Sequence, residues 1–248
     1  MEQIKLNEIR GFVKQHIQEF HNARLQSLER TSLKGLLRRK NPYLYKAKNL
    51  ITAGELVASI LDAKLSSSEE EIFGEFLEHL AVFVAEKALG AAKSSAPGID
   101  LEYNDGRTRY LVSIKSGLNW GNSSQWKALE DNFKTVMKRV KQNKQIKDVR
   151  CILGISYGND KTRTKKGFIT QICGQNFWHR VSGDEEFYVK IVEPLGYRAK
   201  ELNDSFKQRK VQLINKFTGE FINEFCDKRG NINWEQVIRF NSGNGGDE

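Results

Sequence analysis

The stretch GIDLEYNDGRTRYLVSIKSG, residues 98–117, decides the fold that the sequence predicts. Two runs rich in β-forming residues, 99–103 and 108–114, are joined within it by Asn-Asp-Gly-Arg. An Asp-Gly pair between such runs is a strong signal for a β-hairpin. The second run leads into Lys115, and a lysine in an apolar strand needs a partner or a function because its charge is costly to bury. We therefore predict a hairpin that carries chemistry around Lys115.

Side-chain alternation predicts that the polar residues of the hairpin come together. Residues two apart on a strand share a face, so Asp100 points the same way as Glu102. On the second strand Ser113 and Lys115 share a face in the same way. Carboxylates beside a lysine suit phosphodiester hydrolysis, in which oxygen ligands hold Mg²⁺ and the ammonium orients the attacking water or stabilises negative charge. The alternative is a surface hairpin with ordinary cross-strand ion pairs, which contribute little.

The segments around the hairpin predict helices and one further buried strand. Apolar residues at helical spacing between residues 124 and 148 indicate a crossover helix, and VRCILGISYG, residues 149–158, is typical of a buried strand. The other predicted helices cover the first 32 residues, residues 52–63, a long span from Ser67 or Ser68 to Gly90, and most of residues 185–228.

The chain shows no internal repeat and no Gly/Ser-rich linker, so we expect a single domain over residues 1–248. Its predicted parts are a helical N-terminal region (1–65), a catalytic core (68–158), a helical and loop C-terminal region (159–240) and a tail (241–248).

Composition narrows the class of partner and the compartment. Lys and Arg number 40 against 31 Asp and Glu, a formal net charge of +9, which favours a polyanion such as nucleic acid. The cysteines Cys151, Cys173 and Cys226 are far apart, which indicates neither a zinc knuckle nor a disulfide framework. The longest apolar run, LAVFVA, is too short to cross a bilayer. We therefore place the protein in the cytoplasm and expect no membrane role.

Two short motifs resemble a known nuclease signature. PGID, residues 97–100, followed by SIK, residues 113–115, resembles the PD-(D/E)xK motif of the superfamily that includes most type II restriction endonucleases. Two residues separate Pro97 from Asp100, and Ser113 stands where a carboxylate is usual. A subgroup of restriction enzymes has serine there and draws the missing acid from elsewhere in the fold. The segments KNPYLYKAKN, FGEFLEHLA, SIKSGLNWGNSSQ and ICGQNFWHRVSGD are also similar to type II restriction endonucleases, so the resemblance covers most of the chain.

The resemblance implies an α/β fold with a restriction-endonuclease-like mixed central sheet flanked by helices, with additional N- and C-terminal helices. It implies Mg²⁺-dependent cleavage of double-stranded DNA at a short specific sequence, and a cognate methyltransferase acting on the same site. A palindromic site would suit a homodimer. The alternatives are a repair or junction nuclease of the same fold and a non-cleaving DNA-binding protein.

Three carboxylates are candidates for the acid that Ser113 lacks. In this superfamily the first long helix often contributes a glutamate in a Gly-x-x-x-Glu pattern, which Gly74 and Glu78 match. The other two candidates are Glu102, which shares a face with Asp100, and Glu130 on the following helix. We predict that Asp100 and Glu78 bind the metal, with Glu102 as the alternative second ligand.

Polar and basic residues outside the hairpin are candidate DNA contacts. The competing interpretations are a solvated connector over residues 34–49, an N-cap formed by Ser123 or Ser124, and a solvated basic loop. Because the residue before a proline disfavours helix, we expect residues 34–49 to be extended or turning. The candidates are Lys40, Asn41 and Tyr43 in that segment, Asn122, Ser124 and Gln125 after the lysine strand, and Arg163, Lys165 and Lys166 in the basic loop.

Overall fold

A six-stranded mixed sheet is the framework of the computed structural model, which describes residues 4–244. The strands are β1 (Ala92–Lys93), β2 (Leu101–Asp105), β3 (Thr108–Lys115), β4 (Asp148–Ile155), β5 (Arg163–Lys165) and β6 (Ile169–Cys173). Their order in the sheet is β1-β2-β3-β4-β6-β5. The helices are α1 (Leu6–Glu29), α2 (Leu33–Arg39), α3 (Pro42–Ala47), α4 (Ala53–Leu89), α5 (Ser123–Val140), α6 (Gln175–Ser182), α7 (Phe187–Lys190), α8 (Val192–Leu195), α9 (Ala199–Phe225) and α10 (Trp234–Ser242).

Strand direction follows the length of the connections. The predicted hairpin forms, since β2 and β3 are antiparallel and joined by a tight turn. By contrast, β3 and β4 are parallel and joined by α5, the predicted crossover helix, because a parallel pair needs a long connection. Strands β4 and β6 are also parallel, whereas β1 and β5 are antiparallel edge strands. The predicted α/β class with a mixed sheet and flanking helices is confirmed.

The chain divides into two compact units. Residues 4–17 and 73–197 contain the sheet, and residues 18–72 and 198–244 form a helical unit. Two compact units can belong to one domain, so the single domain over residues 1–248 remains a prediction. The predicted tail begins inside α10, which ends at Ser242, and residues 245–248 lie outside the described residues.

Alternation along the strands gives the sheet two different faces. Leu111 on β3 pairs with Cys151 on β4, which pairs with Ile169 on β6, and all three are buried against α5. Helix α5 contributes Leu129 and Phe133 from its apolar stripe. The even-numbered residues of β3 and β4 point to the opposite face.

The helical unit has its own core. The phenylalanines of α9 contribute much of its buried volume, and α2, α3, α4 and α10 supply aliphatic and aromatic partners. Within residues 4–244, no helix is long and apolar enough to span a membrane.

Two of the predicted local structures are wrong. A single continuous helix, α4 (Ala53–Leu89), replaces the two predicted ones, and in it Ser67 Oγ and Ser68 Oγ donate to the carbonyl oxygens of Ala63 and Leu65 instead of capping a new helix. Residues 34–49 are mostly helical, in α2 and α3, because Pro42 occupies the first turn of α3, where its missing N–H costs nothing.

Candidate active site

The carboxylate of Asp100 is held against the end of β3. Asp100 precedes β2, and its backbone N–H donates to the carbonyl oxygen of Val112 at 2.9 Å. That bond continues the β2–β3 ladder and places Asp100 beside Ser113. Asp100 Oδ2 accepts hydrogen bonds from the backbone N–H of Ile114 at 2.5 Å and from Ser113 Oγ at 3.4 Å. Asp100 and the fully buried Ser113 therefore lie together on one face of the hairpin.

Helix α4 approaches the end of β3 closely at Gly74. A Cβ atom added at Gly74 would lie 3.2 Å from Ser116 Cβ and 3.3 Å from Ser116 Oγ. This is shorter than an ordinary carbon–carbon contact of roughly 3.5–4.0 Å. Glycine at this position therefore lets α4 lie against the residue that follows Lys115.

Glu78 lies one helical turn beyond Gly74 and is half-buried. Burial raises the pKa of its carboxyl, and the negative charge of Asp100 raises this pKa further. The positive charges of Lys115 and Lys93 act in the opposite direction. The structure therefore brings Glu78 within electrostatic range of both Asp100 and Lys115, the two residues with which the sequence grouped it.

Lys115 ends β3 and is half-buried. Its Nζ lies 5.7 Å from the centroid of the Trp120 ring, an arrangement that stabilises an ammonium partly removed from water. The lysine in the apolar strand thus lies beside an aromatic ring and within electrostatic range of Glu78.

The other two candidate acids are engaged in ion pairs. Glu102 Oε2 accepts from Arg109 at 2.8 Å and 3.2 Å, and both side chains are mostly buried. Glu130 Oε1 accepts from Lys134 at 2.6 Å, and Glu130 Oε2 lies 3.8 Å from Lys166 Nζ. The hydrogen bond from Lys134 lowers the pKa of Glu130. Both carboxylates are thus engaged by basic side chains other than Lys115, and which of the three acids binds the metal stays a prediction.

The polar segment after β3 caps α5. Asn122 is the N-cap residue, and its Oδ1 accepts from the backbone N–H groups of Ser124 and Gln125, both at 3.1 Å. Gln125 Oε1 in turn accepts from the backbone N–H of Asn122 at 2.9 Å, which completes a capping box. The cap is Asn122 and not the predicted Ser123 or Ser124, and a DNA contact by these side chains stays a prediction.

Two of the three candidate DNA contacts in residues 34–49 already make hydrogen bonds within the protein. Lys40 Nζ donates to the carbonyl oxygen of Ala63 at 3.2 Å, and Asn41 Oδ1 caps α3 by accepting from the backbone N–H of Leu44 at 3.3 Å. Tyr43 is 58% exposed. DNA binding by all three stays a prediction.

The predicted basic loop contains the short strand β5. Arg163 is ion-paired with Asp160 at 2.6 Å, and Lys166 adopts a positive φ of 52° at the turn into β6. Lys165 is half-buried, whereas Arg163 and Lys166 are exposed. Their binding to DNA likewise remains a prediction.

Lys93 lies near the candidate site, and sequence reasoning missed it. It lies on the two-residue edge strand β1 and pairs with Leu101, the residue after Asp100. The backbone N–H of Ser94 donates to the carbonyl oxygen of Asp100 at 3.0 Å, which fixes this edge beside the carboxylate. A strand of two residues is too short to show alternation of polar and apolar side chains, so the sequence does not predict β1. The only signal was the position of this lysine shortly before PGID.

The donor set suits a hard divalent cation that keeps some of its water. Within residues 4–244, no group of three or more His, Cys, Asp and Glu side chains is arranged to hold a metal ion. Mg²⁺ is usually bound by one or two carboxylates, with water and substrate phosphates as the other ligands. Asp100 and Glu78 provide such a pair. The negative charge of Asp100 repels that of Glu78 and so raises the pKa of Glu78, and a cation bound between them would relieve this repulsion.

Comparison with known proteins supports the resemblance. A family model described as Type II restriction endonuclease EcoO109I matches residues 7–203. Comparison with curated proteins gives no significant match. The family match includes the whole sheet and every residue grouped around Lys115. Since it spans well over half of the 248 residues, the chain belongs to the type II restriction endonuclease EcoO109I family, within the PD-(D/E)xK nuclease superfamily.

Proposed function

We propose that the protein is a Mg²⁺-dependent endonuclease that hydrolyses phosphodiester bonds in double-stranded DNA at a short specific sequence. The observation that carries the proposal is the arrangement of Glu78, Asp100 and Lys115 at the end of β3. Two carboxylates next to an ammonium provide both a metal site and a group that acts on water.

Each residue of the site has a proposed role. Asp100 and Glu78 would hold the metal, and a bound Mg²⁺ would supply polarisation of the phosphoryl oxygen and a more acidic water. Lys115 orients the attacking water and stabilises the charge that develops on the phosphate. Ser113 donates its hydroxyl to Asp100 Oδ2 and so restricts the orientation of that carboxylate.

Glu102 is the less favoured ligand because it already neutralises Arg109 in a mostly buried ion pair. Moving it to a metal would leave the guanidinium of Arg109 without its partner, which is costly in a partly buried place. The same argument does not apply to Glu78, whose charged form the surroundings disfavour until a cation binds.

The biological setting follows from the family. The net charge of +9 supports a duplex DNA substrate, and a palindromic target would be cut by a homodimer whose two-fold axis matches that of the site. We propose that the enzyme acts in the cytoplasm beside a methyltransferase that protects the same sequence.

The test compares active-site variants with matched controls. Asp100→Asn and Lys115→Ala are incubated with supercoiled plasmid and Mg²⁺ beside Asp105→Asn and Lys144→Ala, which change the same charges at exposed positions. We expect the first two variants to lose cleavage while folding normally, and the controls to cut the plasmid into discrete fragments. Cleavage by folded Asp100→Asn or Lys115→Ala at the wild-type rate would refute the assignment.

The same assay separates the alternatives. Nicking that depends on DNA structure and not on sequence would indicate a repair or junction nuclease. Duplex binding without any cleavage by the wild-type protein would indicate a DNA-binding protein without catalytic activity.

A further inference from the structure

A groove of about 530 Å³ lies on the sheet face opposite α5. Its floor is formed by the first half of the parallel strands, where polar residues replace the apolar ones expected under a covering helix. Tyr110 on β3 pairs with Arg150 on β4, and Thr170 of β6 lies beside Ile152 of β4. A sheet face with this composition is built to meet solvent or a polar ligand.

Helix α6 forms one wall of the groove. Phe177, Trp178 and Val181 are buried, whereas Asn176, His179 and Arg180 line the groove. Residues three and four apart share a face of a helix, so the three polar side chains form one stripe. This stripe gives the wall an amide, an imidazole and a guanidinium.

The guanidinium of Arg180 is held in place without a carboxylate. Its Cζ lies 4.8 Å from the centroid of the Tyr110 ring, and that ring stacks on Tyr103 at 4.7 Å with an interplanar angle of 8°. In the part of the chain that the structure describes, no ion pair joins Arg180 to an Asp or Glu. The Tyr103 hydroxyl lies within hydrogen-bonding range of Arg180, and as a neutral phenol it leaves the charge of the guanidinium uncompensated.

The one acid of the groove is already neutralised. Asp148 Oδ2 accepts from Arg150 Nε at 2.6 Å. Arg180 therefore leaves the groove with a net positive charge, and the hydroxyl groups of Thr108 and Thr170 add neutral donors. A planar guanidinium fork, kept rigid by stacking, matches two oxygens of a phosphate.

We propose that this groove binds a phosphate group, carried by a nucleic-acid backbone or by a small phosphate ester. Its volume is in the range of roughly 300–1,000 Å³ that is common for sites of small ligands. The ligand class follows from a guanidinium without a carboxylate partner, the adjacent imidazole and amide, and the neutralised acid.

The bound phosphate is not the one that is cleaved. Arg180 lies over Tyr110, and five steps of about 3.3 Å along β3 separate Tyr110 from Lys115 by roughly 17 Å. Tyr110 and Lys115 also point to opposite faces of the sheet. The groove is thus a second anion site, independent of the proposed catalytic role of Lys115.

Titration with inorganic phosphate tests the site directly. Metal-free protein at constant ionic strength is titrated with phosphate and followed by ³¹P line broadening, for wild type, Arg180→Met, Arg180→Lys and Arg139→Met. Arg139 is an exposed arginine at the end of α5, so its variant matches the change in charge. We expect saturable binding that Arg180→Met weakens by about tenfold or more and Arg139→Met leaves unchanged. Arg180→Lys keeps the charge but not the fork, and an intermediate loss is expected.

A wild-type protein without saturable phosphate binding, or an equal loss in Arg180→Met and Arg139→Met, would overturn the proposal. If Arg180→Met does not fold, Arg180→Lys decides: affinity equal to that of wild type would reject the guanidinium fork. None of these measurements requires cleavage, so a failed endonuclease assay and a failed phosphate titration are separate results.

Duplex binding then identifies the source of the phosphate. In EDTA, a weaker affinity of Arg180→Met than of Arg139→Met for a short duplex, with a salt slope reduced by about one, would support the site and assign the ligand to the DNA backbone. Unchanged duplex affinity together with lost binding of inorganic phosphate would support the site and assign it to a small phosphate ester.

Discussion

Substituting Gly74 with alanine tests whether the contact between α4 and β3 sets the geometry of the site. The added Cβ atom would lie 3.2 Å from Ser116 Cβ, so Ser116 or α4 must move by a few tenths of an ångström. Ser116 follows Lys115, and Glu78 is one turn along α4. The shift therefore changes the positions of the lysine and the glutamate relative to each other.

The expected magnitude comes from two opposing effects. In a helix interior, alanine is more stable than glycine by roughly 0.5–1 kcal/mol. At Gly74 this gain is offset by overpacking against Ser116, which costs typically about 1–3 kcal/mol. Gly11 lies inside α1, and a Cβ atom there meets nothing within 4 Å, so Gly11→Ala should show the gain alone. We expect Gly74→Ala to be less stable than Gly11→Ala by about 1–3 kcal/mol.

The assay measures urea unfolding and single-turnover cleavage for both variants. Since a misplacement of about 1 Å can cost roughly 10²-fold in rate, a few tenths of an ångström should slow Gly74→Ala by about tenfold. Ser116→Gly removes both contacting atoms, so the double variant Gly74→Ala/Ser116→Gly should recover much of the rate. The reasoning is refuted if Gly74→Ala is stabilised as much as Gly11→Ala and cuts as fast.

Other predictions address the charges around the site. Glu78→Gln should reduce Mg²⁺-dependent cleavage more than Glu102→Gln or Glu130→Gln, and equal rates in all three variants would remove Glu78 from the metal site. Lys93→Met should slow cleavage several-fold while Lys138→Met, an exposed change on α5, has no effect; indistinguishable rates would place Lys93 outside the site. Because the folded-state pKa of Glu78 is raised, the metal-free protein should lose stability as pH rises from the ordinary glutamate value through the raised one. Urea unfolding in EDTA should show this loss in wild type and not in Glu78→Gln, and parallel pH profiles would contradict it.

The hairpin could be predicted because its signals are local. An Asp-Gly turn and strict alternation place Asp100 and Ser113 on one face without any knowledge of the rest of the fold. The Gly-x-x-x-Glu pattern of the resemblance likewise pointed to this part of α4, which approaches the end of β3 closely at Gly74.

The features that were missed depend on tertiary context or on weak local signals. Ser67 and Ser68 resemble an N-cap in sequence, yet their hydroxyls bond back to the preceding turn and α4 continues. Lys93 reaches the site only through the register of β1, which is too short to show a pattern. The groove beside Arg180 also has no sequence signature, because its floor and wall come from three strands and a helix.

Mapping fragment ends is the most direct test of site-specific, Mg²⁺-dependent cleavage. The purified wild-type protein is incubated with a panel of sequenced DNA molecules in Mg²⁺ and, separately, in EDTA, and all fragment ends are determined. We predict ends at one fixed position within one short recurring sequence, in Mg²⁺ only. Ends scattered over unrelated sequences, or the same cleavage in EDTA, would contradict the proposed function.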